Sequence, residues 1–182
     1  MGESFPVWRI LSLDKHNTGI SQIANLKHKG FRVGRAAEVL TKKISSEAID
    51  GVARLVRVTG PDLGLHLHEP LQAFYDNFER FGLKICRPTI AQALREAYHD
   101  QPMNEILWVI SPRMSQSKTE TGVLCVGHNE CGKWLYFGCG NGCSWGKWRF
   151  ENLSPKTQNC IVPRWLCECP WSLAPITAIF EI

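Results

Sequence analysis

Cys125, His128 and Cys131 stand at C-x2-H-x2-C spacing, and Cys139 and Cys143 follow within twelve residues. Thiolates and neutral imidazoles are zinc ligands, and a structural site closes a tetrahedron with four of them, usually as two short-spaced pairs. A hairpin turn here could supply two or three. The chain has no C-x2-C pair, however, and on an extended strand Cys125 and His128 would point to opposite faces. Free cysteines also serve as small buried hydrophobes. The expectation is therefore no cofactor, with zinc as the one metal these residues would suit.

Three further groups have residue types suited to chemistry. Cys86, with His99 or His128 as base and Asp100 as orienter, offers nucleophilic catalysis, provided its thiol ionises beside an imidazole. Arg87 would favour the thiolate, but no protease-type or redox signature surrounds it. Arg95, Tyr98, Asp100 and His128, rimmed by Trp134, form a candidate pocket for a small anionic or planar ligand. Arg95 and Tyr98 are three residues apart and share a helix face, while Asp100 could orient the guanidinium. The same residues also suit a structural knot in which Arg95 pairs with Asp100 or Glu105. Finally, Lys27, Lys29, Arg32 and Arg35 lie on or between two helical segments, an order loosely compatible with a helix-turn-helix and with nucleic-acid binding. GCGNGC (138–143) fits no phosphate-loop pattern, and His66 and His68 alone make a poor metal site.

The elements that must position these residues follow from periodicity. Ile20, Ile23 and Leu26 predict a helix that stops at Gly30, and Ala37, Leu40 and Ile44 a second over about 34–44. VARLVRV (52–58) predicts a strand before the Gly60-Pro61 breaker. Leu71, Phe74, Phe78 and Phe81 predict a helix over 69–82, capped by Gly82. LKIC (83–86) reads as a short strand. Pro88 and Thr89 then open a helix with Ile90, Ala93, Leu94 and Ala97 inward. Beyond residue 104, segments 105–111, 122–128, 132–137, 147–151 and 176–182 are strand-like, with a hairpin turn at 129–132. Residues 153–175, with four prolines, read as irregular. The predicted fold is α+β: a single domain over 1–182, helix-rich to 103 and strand-rich from 104. Its N-terminal and central helices would pack on one face of a mostly antiparallel, tryptophan-rich C-terminal sheet.

Composition excludes several classes. Hydrophobic residues make up 44% and charged residues 21%, which is ordinary globular usage and excludes a disordered chain. No apolar run reaches the roughly 18 residues a membrane span needs. The N-terminal MGESFPVWRI lacks the basic and apolar regions of a signal peptide, and Pro6 spoils a myristoylation motif. A cytoplasmic protein with no membrane partner is expected, which makes eight cysteines a high count for a reducing compartment. The net charge of +4 is concentrated in residues 1–59, whose ten Lys/Arg against five Asp/Glu suit either a solvated face or a phosphate-binding one.

FGLKICRPTIAQALREAYHDQPMNEILWV (81–109) resembles a family of uncharacterised bacterial proteins, common in genomes of uncultivated bacteria. That family's pattern runs Gly-Leu-x-Leu-Cys-Pro, a helix with Leu-Arg-x-x-Tyr, then Asp-Gln-Pro and a strand. Gly82, Leu83, Cys86, Leu94, Arg95, Tyr98, Asp100, Gln101, Pro102 and Glu105 stand in matching places. GFRVGRAAEVLTKK (30–43) is similar to an upstream segment of the pattern. His128, Gly132, Trp134 and Leu135 match its His-x-x-x-Gly-x-Trp-Leu hairpin, and Trp145 and Trp148 to Phe150 a closing aromatic strand. The likeness covers about residues 30–150. It departs at Arg87, where a proline is expected, and at Cys125, Cys131, Cys139 and Cys143, which are outside the pattern. The resemblance implies a single-unit α+β fold and brings no activity.

The functional expectation is a small binding or interaction module without catalytic activity, its partner a protein or a small anionic or planar ligand. Two alternatives stand beside it: a Cys/His-dependent hydrolase or transferase, and a zinc-stabilised nucleic-acid-binding protein.

Overall fold

Alternation shapes the strands. In GVARLVRVT, Ala53 and Leu55 face one side while Val56 and Val58 face the other, so both sides of this segment meet apolar packing. The computed structural model describes residues 5–13, 19–44, 51–66, 71–115, 121–139 and 177–182. In chain order its elements are β1 (Arg9–Leu13), α1 (Gly19–His28), β2 (Arg32–Val33), α2 (Arg35–Lys43), β3 (Gly51–Thr59), α3 (Leu71–Asn77), α4 (Ile90–Ala97), β4 (Ile106–Val109), β5 (Met114–Ser115), β6 (Thr121–Asn129), β7 (Gly132–Cys139) and β8 (Thr177–Glu181). Short 3-10 turns at Pro61–Leu63 and Phe78–Phe81 follow β3 and α3.

The strands form one sheet in the order β1-β3-β8-β4-β6-β7-β2, with β5 paired to β6. The sheet is mixed: β4 runs parallel to β8 and β2 parallel to β7, and the remaining pairs are antiparallel. The fold is α+β, with two corrections to the expected sheet. Three of its strands come from the first 59 residues, so the sheet is not a C-terminal feature. It is also covered on both faces. On the first, α1, α2 and α4 pack Ile23, Leu26, Ala37, Ile90 and Leu94 against Leu55, Leu107, Val109, Leu124, Val126 and Ile179. On the second, Leu63, Leu71, Phe74 and Leu83 close over Val56, Val58, Trp108, Ile110, Val123 and Phe180. Burying one such large side chain stabilises by about 1.5–3 kcal/mol, so both layers contribute to holding the sheet.

The expected helix over 69–82 is α3 followed by a 3-10 turn, ended by Gly82 at φ 68°, a left-handed angle that glycine reaches at no steric cost. The expected strand 83–86 is reduced to a single bridge between Lys84 and Glu181. The helix-turn-helix reading gives way: the connection between α1 and α2 enters the sheet as β2, with Arg32 beside Trp134 and Val33 beside Leu135. Among the described residues no helix is long and apolar enough to cross a membrane. Trp145, Trp148, Trp165 and Trp171, the segment 147–151 and Cys143 lie outside the described residues, and the described strands carry two tryptophans, Trp108 and Trp134.

Candidate functional site

Helix α4 turns Arg95 into the core, where its side chain is fully buried. One terminal nitrogen donates to Gln101 Oε1 at 2.5 Å and Gly127 O at 3.1 Å, and the other to Tyr98 O at 2.5 Å. The guanidinium also lies 5.1 Å from the centre of the Phe31 ring. Burial pulls its pKa down to about 10, so it stays charged at neutral pH. The expected carboxylate partners bind elsewhere. Asp100 pairs with Arg9 at 3.0 Å, and Glu105 with Arg57 at 2.7 Å. Arg95 thus clamps the end of α4 to strand β6, and it has no surface left for a ligand.

Tyr98 is buried beside it, its ring edge-on to Trp8 at 5.2 Å and under the Arg9 guanidinium at 4.6 Å. Burial, then the nearby Glu105 carboxylate, pushes its hydroxyl up to about 12. Asp100 is exposed, and the hydrogen bond from Arg9 holds its carboxyl below the usual range. His128 Nδ1 sits 2.7 Å from Gln101 O. A carbonyl only accepts, so Nδ1 carries the proton and Nε2 has the lone pair when the ring is neutral. His128 is paired with Lys133 across the hairpin and lies on the first face, whereas Trp134, one residue further along β7, projects from the second. The expected five-residue pocket therefore divides: Arg95 and Tyr98 are buried, Asp100 and His128 are at the first face, and Trp134 is across the sheet.

The same alternation separates the expected zinc ligands. Cys125 is fully buried on the second face, its Sγ 3.9 Å from Val123 O, and burial pushes its thiol well up. His128 is on the first face, and Cys131 sits half-buried in the hairpin turn, its N–H donating to Asn129 Oδ1. Among the described residues no three His, Cys, Asp or Glu side chains gather as a metal site. The side chain of Cys139, like the whole of Cys143, lies outside what is described. Cys86 is fully buried, its Sγ 3.4 Å from Ile179 O. Burial, reinforced by Glu181, pushes its thiol well up, and the opposing pull of Arg87 is smaller. A catalytic cysteine needs the reverse.

The basic residues divide as well. Lys27 pairs with Glu38, which Lys42 also reaches, and Lys29 pairs with Glu96. Arg35 is exposed at the start of α2. Arg32 lies over the Trp134 indole, 5.2 Å from the ring centre, and the indole N–H donates to Asn129 Oδ1 at 2.9 Å. This pairing joins one residue from the expected basic group to one from the expected pocket. A further cluster was not foreseen: Arg9 and Arg57 both lie over Trp8, tying β1 and β3 to the end of α4 through Tyr98, Asp100 and Glu105. Its members are spread over nearly a hundred residues, and only the alternating pattern of β1 could have pointed to it. No family model, curated protein or solved structure matches this chain.

Proposed function

We propose that this protein is a non-catalytic binding module whose ligand carries phosphate and a planar ring, as a nucleotide or a single nucleic-acid strand does. The observation that supports the reading is the seam between β2 and β7, where parallel pairing lays Arg32 on Trp134, with the exposed Arg35 three residues further along the chain at the start of α2. A guanidinium stacked on an indole sets a positive charge beside a planar ring. An aromatic ring beside fixed cations is the combination that single-strand binders use, bases stacking while phosphates pair with Arg and Lys. Lys27 and Lys29 are paired with Glu38 and Glu96.

The test is equilibrium binding of a fluorescein-labelled ten-nucleotide single strand, followed by anisotropy at low and moderate salt. Wild type binds and releases the strand as salt rises, and the Arg32→Ala, Arg35→Ala double variant loses binding while its circular dichroism is unchanged. Binding that survives the double substitution contradicts the reading.

A further inference from the structure

The β6–β7 hairpin turns through Glu130 and Cys131, with Asn129 paired to Gly132 across its base. Gly132 takes φ 114°, an angle that residues with side chains rarely adopt, and so lets the turn close. The Asn129 side chain holds this turn from within. Its Oδ1 accepts the Cys131 backbone N–H at 3.0 Å and the Trp134 indole N–H at 2.9 Å. Both partners can only donate, so the atom they share is the carbonyl oxygen, and the orientation of the amide is fixed. A carbonyl oxygen has two lone pairs, and both are taken. The amide NH2 has no partner among the described residues. Polar atoms that are both buried and unpartnered there belong to Gln22, Thr89, Arg95 and Glu105, so the Asn129 NH2 reaches solvent.

With a planar ring of the ligand at Trp134, the Asn129 amide stands beside the rim of that ring, at the N–H edge of the indole. Arg32 and Trp134 carry donors only, and the Asn129 oxygen is spent, so these three side chains offer the rim no acceptor. An asparagine pairs with adenine by accepting from its amino group while donating to a ring nitrogen, and here the accepting half is already used. We infer, on the premise that the seam binds a nucleotide, that Asn129 is a specificity-determining residue that selects keto bases, its NH2 donating to the exocyclic carbonyl of uracil, thymine or guanine. Cytosine and adenine carry an amino group at the matching position, and two donors then meet with nothing to accept them.

The test uses the full chain and fluorescein-labelled ten-nucleotide strands of deoxyuridine and deoxycytidine, whose bases differ only at ring positions 3 and 4. Anisotropy titration of wild type at low salt favours deoxyuridine by about fivefold, the effect of one hydrogen bond. This comparison needs no variant. Asn129→Asp still accepts from Cys131 and Trp134 but has no donor, so the preference is lost with circular dichroism unchanged, while its added charge weakens both strands. A purely structural role for Asn129 in the turn would leave the ratio of the two affinities where it was. Equal wild-type affinity for the two strands, with binding lost in the Arg32→Ala, Arg35→Ala variant, overturns this inference and leaves the seam as a nucleotide site. A preference that survives Asn129→Asp does the same. No binding of either strand overturns both.

Discussion

Arg95 is a buried cation whose hydrogen bonds end on oxygens of Gln101, Gly127 and Tyr98, with no carboxylate among them. Removing it strands those acceptors in the core, at about 1–3 kcal/mol each before relaxation. Arg95→Met, which keeps much of the volume, is expected to cost at least about 3 kcal/mol in urea unfolding at neutral pH. A ligand-binding arginine at the surface would be lost with little effect on stability. The tyrosines give a second prediction at this scale. The chain has three, and burial raises all of them: Tyr75 and Tyr98 to about 12, and Tyr136 well up. Their folded pKa lies above the unfolded value near 10, so the stability they contribute is complete below about pH 10 and lost as pH climbs through the folded value. A near-ultraviolet titration should show almost no tyrosinate at pH 10, then a steep rise that coincides with loss of circular dichroism. Ordinary titration centred at pH 10, with the fold intact, would contradict the burial. Arg95 also shows why residue-level reading of the sequence stopped short. The apolar count placed Ile90, Ala93, Leu94 and Ala97 inward, but the buried residues are Ile90, Ala91, Gln92, Leu94 and Arg95, running on into Tyr98, with Ala93 partly buried and Ala97 exposed. A charged residue within the stripe rotated the apparent face by one position.

At the scale of elements, the hairpin of β6 and β7 separates the candidate ligands by strand alternation, and Gly127, against the Tyr136 ring, and Gly138, against Trp108, let it pack. A Cβ on Gly138 would meet the Trp108 ring at 2.6 Å and Cys125 Sγ at 2.9 Å. Gly138→Ala is therefore expected to destabilise by about 1–3 kcal/mol, read as a shift of the urea midpoint without a change of slope. No change would mean that Trp108 does not occupy that space. The hairpin was legible in advance because a turn at 129–132 separates two apolar runs, and β3, α1 and α2 were legible from their own periodicities. Strand β2 was not. Two residues have no period, and their pairing depends on the position of β7, a hundred residues further along. Strand β1 does alternate, but Ile10, apolar and exposed, masks the pattern. The helix-turn-helix reading failed for the same reason, since helix spacing alone carries no information about a strand between the helices.

For the whole molecule, composition and helix content indicated α+β, while the second covered face depended on contacts remote in sequence. Val56, Val58, Trp108 and Phe180 are brought together only once β8 inserts between β3 and β4. The two-layer burial also bears on thiol chemistry. Cys86 and Cys125 are sealed in opposite cores with raised pKa values, so both should resist alkylation in the native state and react fully once the chain unfolds. Mass spectrometry after timed iodoacetamide treatment reads this directly, and rapid native labelling of either would mean the cores open. Function, on this account, belongs to the seam at the end of the sheet where Arg32 lies on Trp134. The measurement that tests this most directly is the salt dependence of single-strand binding for wild type and Arg35→Ala. Each phosphate contact contributes about 0.7 to the slope of log affinity against log salt, so the variant should bind more weakly with a slope shallower by about that amount. An unchanged slope and affinity, or no salt dependence in the wild type, would contradict a phosphate ligand at the β2–β7 seam.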